Sequence, residues 1–133
     1  MRIDRTLLDE IVAHAVRDAP NECCGVVLGR DGRATSARPL ENIAASPFRF
    51  DIDGRELIDF AFADEDDEQL AAIYHSHTRS EPYPSQTDVN FAAGWPGVEW
   101  LIVGVPRKKD AEPEVRSYLI EEGAIREVEL EVT

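Results

Sequence analysis

Apolar side chains recur at two spacings along this chain, and each spacing predicts a different kind of element. Leu7, Leu8, Ile11, Val12, Ala15 and Val16 fall on one helical face. With Asp4 or Thr6 as a start signal and Pro20 as a stop, they predict a helix over residues 4 to 18. The run CCGVVLG that follows is short, apolar and partly β-branched, which predicts a buried strand. Arg30, Asp31 and Gly32 have the chemistry of a hairpin turn, and a weaker strand is expected over residues 34 to 42. FRFDID, residues 48 to 53, alternates and predicts a short strand. Asp53 and Glu56 then form a capping pattern ahead of Leu57, Ile58, Phe60 and Ala61, the apolar face of a second helix. The acidic run at 64 to 68 is expected at the solvated end of that helix. QLAAIYHSH, residues 69 to 77, is a third apolar strand, and SQTDVNFAAG, residues 85 to 94, predicts a short helix. VEWLIVGV, residues 98 to 105, is the most hydrophobic strand and is expected at the centre of the sheet. VRSYLI and AIREVELEV alternate as a terminal hairpin that turns at residues 121 to 123.

Strands interspersed with helices, and hairpins near both ends, imply an α/β domain with a mixed β-sheet flanked by helices. With 133 residues and no repeat or linker, residues 1–133 are read as a single domain. No apolar stretch approaches the roughly 20 residues of a membrane span, and the N-terminus lacks the apolar core of a secretory signal. The expected location is therefore cytoplasmic. The 27 acidic against 14 basic side chains leave a net charge of −13, which repels phosphate backbones and argues against nucleic acid as a partner. Cys23 and Cys24 are adjacent, a spacing that rarely bridges, so both are read as small buried strand residues in a reducing compartment. His14 is expected on the surface of the first helix. Trp95 and Trp100 are expected to pack, with Trp95 at the border of a substrate groove as a further reading.

The chemistry concentrates in YHSHTRSEPYPSQTD, residues 74 to 88. Residues i and i+2 of a strand face the same way, so His75 and His77 point together from a strand end while Tyr74 packs on the other face. Two imidazoles on one face can share one cation; burying both without partners is costly, which weighs against ordinary core histidines. Ser85 and Asp88 form a helix N-cap pattern, and a helix start beside a metal also places a carboxylate as a third ligand. Glu22 precedes the first buried strand. It is either a solvated strand end or a buried acid able to move protons.

The full pattern, Glu22 upstream of CGVVLG, then His75-x-His77, seven residues, Ser85-x-x-Asp88, resembles the JAMM (MPN+) metalloprotease motif, and the order of elements agrees over nearly the whole chain. The resemblance implies a JAB/MPN fold, related in architecture to cytidine deaminases. It implies Zn2+ held by His75, His77 and Asp88, Glu22 as the general acid/base toward the attacking water, and Ser85 as a donor to the developing oxyanion. The implied reaction is hydrolysis of a peptide or isopeptide bond at the C-terminus of a ubiquitin-like protein. Thr78 departs from the family, which often has Pro after the second His. The loop TRSEPYPS and the absence of long insertions resemble small bacterial members that act on sulfur-carrier proteins, in particular those that release cysteine. The implied partner is a small carrier ending in Gly-Gly, and whether the working unit is a monomer or a homodimer is left open. The competing reading is a catalytically inactive scaffold of the same fold that binds protein partners. A zinc deaminase would need a His-x-Glu and a Pro-Cys-x-x-Cys element, and neither occurs.

Overall fold

The computed structural model describes residues 1–62, 67–108 and 110–133. The elements in chain order are β1 (Arg2–Ile3), α1 (Arg5–Asp18), β2 (Cys24–Arg30), β3 (Arg33–Leu40), α2 (Gly54–Phe62), β4 (Gln69–His77), α3 (Gln86–Ala92), β5 (Glu99–Gly104), β6 (Glu114–Glu121), β7 (Ala124–Val128) and β8 (Glu131–Val132). The strands form one mixed sheet in the order β7-β6-β5-β4-β2-β3-β1-β8. Helix α1 covers one face, where Leu8, Ile11 and Ala15 pack on Val27, Tyr74 and Leu101. Helices α2 and α3 cover the other, where Leu57 and Ala92 join Val26, Ile73, Trp100 and Ile102. This is the mixed sheet flanked by helices that the hydrophobic pattern predicts. Burial on both faces is why β2, β4 and β5 read as unbroken apolar runs.

The β2–β3 turn has the predicted chemistry. Asp31 and Gly32 both take positive φ, 52° and 79°, as a two-residue hairpin of this kind requires. Gly25 meets a different need. It lies opposite Tyr74, and a Cβ at position 25 would sit 2.3 Å from the tyrosine ring, so only glycine lets that ring lie across β2.

Three expectations change. Residues 48 to 53 are not a strand, although Phe50 and Ile52 are buried as the alternation suggests. Their backbone is held instead by Asn42, whose side-chain amide donates to the Arg49 carbonyl at 3.1 Å and accepts from the Asp51 amide at 3.0 Å. β5 is interior, but β4 and β2 take the centre, because the chain ends add β1 and β8 beyond β3. Those two-residue strands are too short to show a period. They pair through register neighbours Arg2–Glu131 and Ile3–Val132. His14 is buried, only 5% exposed: its Nε2 donates to the Asp18 carboxylate at 3.0 Å, and its Nδ1 accepts from the Tyr74 hydroxyl at 2.7 Å. A histidine with both ring nitrogens satisfied can lie inside a core. Of the acidic run at 64 to 68, the first three residues lie outside the described residues, and Asp67 is exposed. Among the described residues no helix is long and apolar enough to cross a membrane.

Candidate metal centre

β4 and β5 run parallel, so the chain must cross over between their ends, and α3 makes that crossover. The N-terminus of α3 thereby arrives at the carboxyl end of β4, the place where open α/β sheets gather ligands. The three polar side chains that the sequence spreads over 14 residues meet there. His75 Nε2 lies 3.1 Å from His77 Nε2 and 3.1 Å from Asp88 Oδ2, and His77 Nε2 lies 3.3 Å from the same oxygen. His75 is wholly buried, and His77 and Asp88 nearly so.

Each side chain is aimed by its neighbours. The Phe50 ring stacks on His75 with centroids 4.4 Å apart, and Trp100 meets His75 in a T-shaped contact at 6.3 Å. His77 Nδ1 lies 2.8 Å from the Glu81 carbonyl, which can only accept, so Nδ1 carries the hydrogen. The His77 Nε2 lone pair is then bare and faces the cluster, the arrangement of a ligating histidine with its outer hydrogen bond in place. Asp88 is at the third position of α3. Its carboxylate accepts from the Ser85 amide at 2.9 Å, and its own amide donates to Ser85 Oγ at 3.2 Å, a complete capping box. Ser85 is exposed at the helix mouth, and because Oγ accepts there, its own hydrogen is available to donate outward.

Glu22 comes from the other side, ahead of β2, and is 5% exposed. Its carboxylate and the two imidazoles present atoms that all lie within 4.8 Å of one another. Burial pushes the Glu22 carboxyl up to about 7, with His77 opposing the rise and Asp88 adding to it. Burial also pushes Asp88 up, but the His75 and His77 imidazoles and the Ser85 amide outweigh it and hold that carboxyl well below the usual range. Desolvation pulls His75 down; at His77 it is outweighed by Asp88 and the Glu81 carbonyl, and the group is raised.

The donor set suits a cation. With His77 Nε2 unprotonated, its lone pair and the ionised Asp88 oxygen 3.3 Å away repel each other, so either a proton or a metal cation lies between them. Ligands at about 2.0–2.1 Å from a tetrahedral metal stand about 3.3–3.4 Å apart, close to the 3.1, 3.1 and 3.3 Å found here. Three residues that the sequence does not single out hold the site together. These are Phe50, Asn42 and Ser76, whose buried hydroxyl accepts from the Cys23 amide at 2.8 Å. Ser76 had a signal of a kind, since it alternates with the two histidines. Asn42 had only a local turn bond, in which its Oδ1 accepts from the Ala44 amide at 3.1 Å; the partners that matter to the site, the Glu22 and Arg49 carbonyls, lie 20 and 7 residues away. Trp95 is partly buried against the α2–α3 side of the core, and Trp100 is fully buried.

Residues 4–121 match the family of prokaryotic homologs of the JAB domain. The CysO-cysteine peptidase of Mycobacterium tuberculosis is 40% identical over 124 residues, which span 91% of this chain and 83% of that protein. The desampylase of Haloferax volcanii is 39% identical over 102 residues, 71% of this chain and 73% of that one. The solution structure of a Desulfitobacterium hafniense protein matches all of this chain and 93% of its own, with a TM-score of 0.81 at 28% identity. A JAB1/MPN-domain protein of Archaeoglobus fulgidus matches with a TM-score of 0.68 at 22% identity, covering all of this chain and 99% of its own, a likeness of fold. By sequence and by fold, the chain belongs to the JAMM/MPN family, in its prokaryotic JAB-domain branch, and is a hydrolase.

Proposed function

We propose that the chain is a zinc peptidase that hydrolyses the amide bond at the C-terminus of a small ubiquitin-like or sulfur-carrier protein, and that the residue it releases is cysteine. The observation that carries the reading is the meeting of His75 Nε2, His77 Nε2 and Asp88 Oδ2 at 3.1 to 3.3 Å with the Glu22 carboxyl beside them. The identity to a CysO-cysteine peptidase over most of both chains supports the substrate. The burial of Glu22, His77 and Asp88 favours a slim Gly-Gly tail over a bulky one, since only a narrow chain reaches atoms this enclosed.

His75, His77 and Asp88 would hold the zinc and leave a fourth position open, as in catalytic rather than structural sites. When bound, zinc supplies Lewis acidity that makes water a nucleophile near neutral pH. Glu22 takes the proton of the attacking water as its oxygen bonds to the scissile carbonyl carbon. Ser85 donates to the carbonyl oxygen as negative charge develops there. The carbon–nitrogen bond then breaks, and Glu22 returns the proton to the leaving amine. The products are the carrier with a free carboxylate and an amino acid with a free amine.

The test is to incubate the purified chain with a carrier protein bearing a C-terminal cysteine and follow the intact mass, alongside metal analysis. Loss of one cysteine, with about one zinc per chain, supports the reading. An intact adduct alongside cleavage of a lysine-linked conjugate overturns cysteine release, and full turnover without any divalent metal overturns the zinc assignment.

A further inference from the structure

Glu22 lies in residues 19 to 23, between α1 and β2, where neither helix nor strand holds the backbone. Its main chain is held by side contacts. Its amide donates to the Ser46 carbonyl at 2.9 Å, and its carbonyl accepts from Asn42 Nδ2 at 2.9 Å. Both anchors sit on the irregular stretch between β3 and α2, so beside the direct hydrogen bonds between Cys23 and Ser76, a hold on that stretch from the His75–His77 strand also bears on where Glu22 lies.

Thr78 supplies the hold. It follows His77 directly at the end of β4 and is 7% exposed. Its Oγ1 lies 2.8 Å from the Pro20 carbonyl, two residues before Glu22, and 3.2 Å from the Pro47 carbonyl, one residue after Ser46. One hydroxyl hydrogen is shared between the two, with the shorter bond to Pro20. The position next to His77 thus reaches both segments that grip Glu22. A proline there, as the family often has, could form neither bond.

We propose that Thr78 is a positioning residue for Glu22: its hydroxyl, shared between Pro20 and Pro47, ties the Glu22 segment and its anchoring loop to the end of the His75–His77 strand and so sets where the carboxyl meets the imidazoles. The proposal rests on the reading of Glu22 as the proton carrier.

The test compares Thr78→Val, which keeps the shape and loses the hydroxyl, with Thr78→Ser, which keeps the hydroxyl. Thr35→Val is the control, since Thr35 makes the same kind of bond to the Leu28 carbonyl at 3.1 Å in the β2–β3 hairpin. Amide exchange is followed at Glu22 in zinc-loaded and zinc-stripped protein, and kcat and KM are measured on a carrier–cysteine adduct. Thr78→Val is expected to speed exchange at Glu22 about five- to tenfold, the equivalent of one lost hydrogen bond. It is also expected to lower kcat about ten- to a hundredfold while KM stays within about twofold and zinc content is unchanged. Thr78→Ser is expected to restore both rates, and Thr35→Val to leave both as they were. Unchanged exchange at Glu22, exchange that rises equally across the sheet, or failure of serine to rescue would overturn the proposal. Faster exchange with undiminished kcat also overturns it. In that case the activity of Glu22→Gln shows whether the proton-carrier reading falls too: an active variant sinks both, and an inactive one sinks only the role of Thr78.

Discussion

Asp88 and Glu22 are both carboxylic acids within reach of the same two imidazoles, yet their surroundings drive them apart. Asp88 accepts from the Ser85 amide and faces two imidazoles, so it stays ionised and suits a ligand. Glu22 is buried with fewer partners and sits near neutral, the range of a group that takes and returns a proton. Two variants separate the roles. Glu22→Gln should keep about one zinc per chain and lose about 10²–10⁴-fold in kcat, whereas His77→Ala should lose the zinc. Tight zinc retained by the His77 variant, measured by metal analysis, would remove His77 from the ligand set. The cysteines behave differently again. Burial pushes the thiols of Cys23 and Cys24 up to about 12, so at pH 8 iodoacetamide should leave the native protein unmodified and add twice to the unfolded chain, as read by intact mass. Their inertness is legible from their place in an apolar run. The burial of His14 is not, because its partner Tyr74 lies 60 residues away.

At the scale of elements, α3 is both a crossover and a mount. Ser85 caps it, and the proposed function also asks that hydroxyl to stabilise an oxyanion, two roles that separate by magnitude. Ser85→Gly should cost only a few tenths of a kcal/mol in stability and Ser85→Ala about 1 kcal/mol. Both should lose about 10²–10³-fold in kcat. Urea unfolding beside steady-state kinetics checks this, and losses in kcat that follow stability instead would leave Ser85 as a cap alone. Helix α3 is legible because its signals are local: a cap, a capping acid and a short apolar face. Residues 48 to 53 show the opposite case. Their alternation is real and two of their side chains are buried, but a strand needs a neighbouring edge to pair with. Here the Asn42 side chain takes the hydrogen bonds that a neighbouring strand would otherwise make.

At the scale of the whole molecule, a polar chain runs through the core beneath α1, from Asp18 to His14 to Tyr74. Desolvation holds folded His14 below its ordinary value of 6.5, with Asp18 opposing the shift and Arg17 aiding it. The unfolded chain therefore binds this proton more readily than the folded one. The stability contributed by neutral His14 is complete above pH about 6.5 and is lost as pH falls below it. Thermal unfolding at pH 5.5 and 7.5 should show a drop toward acid that is smaller in His14→Gln. Equal drops in the two proteins would show that other groups carry the acid sensitivity.

The sequence by itself determined whatever depends on neighbours within a few positions. The period of two that sets His75 and His77 on one face, the cap that binds Ser85 to Asp88, the turn at Asp31-Gly32 and the apolar runs of the inner strands are all of this kind, since backbone geometry alone imposes those relations. The resemblance then drew Glu22 into the same pattern, 53 residues upstream of His75. Only the tertiary structure decided how those pieces meet. Parallel pairing of β4 with β5 carries the start of α3 to the histidines, antiparallel pairing of β2 with β4 brings Glu22 alongside, and Asn42, Ser76 and Thr78 hold it there. Those contacts join residues 13 to 58 positions apart. A buried hydrogen bond over such a distance forms only after the sheet has closed, and it leaves no period, cap or turn in the chain to announce it.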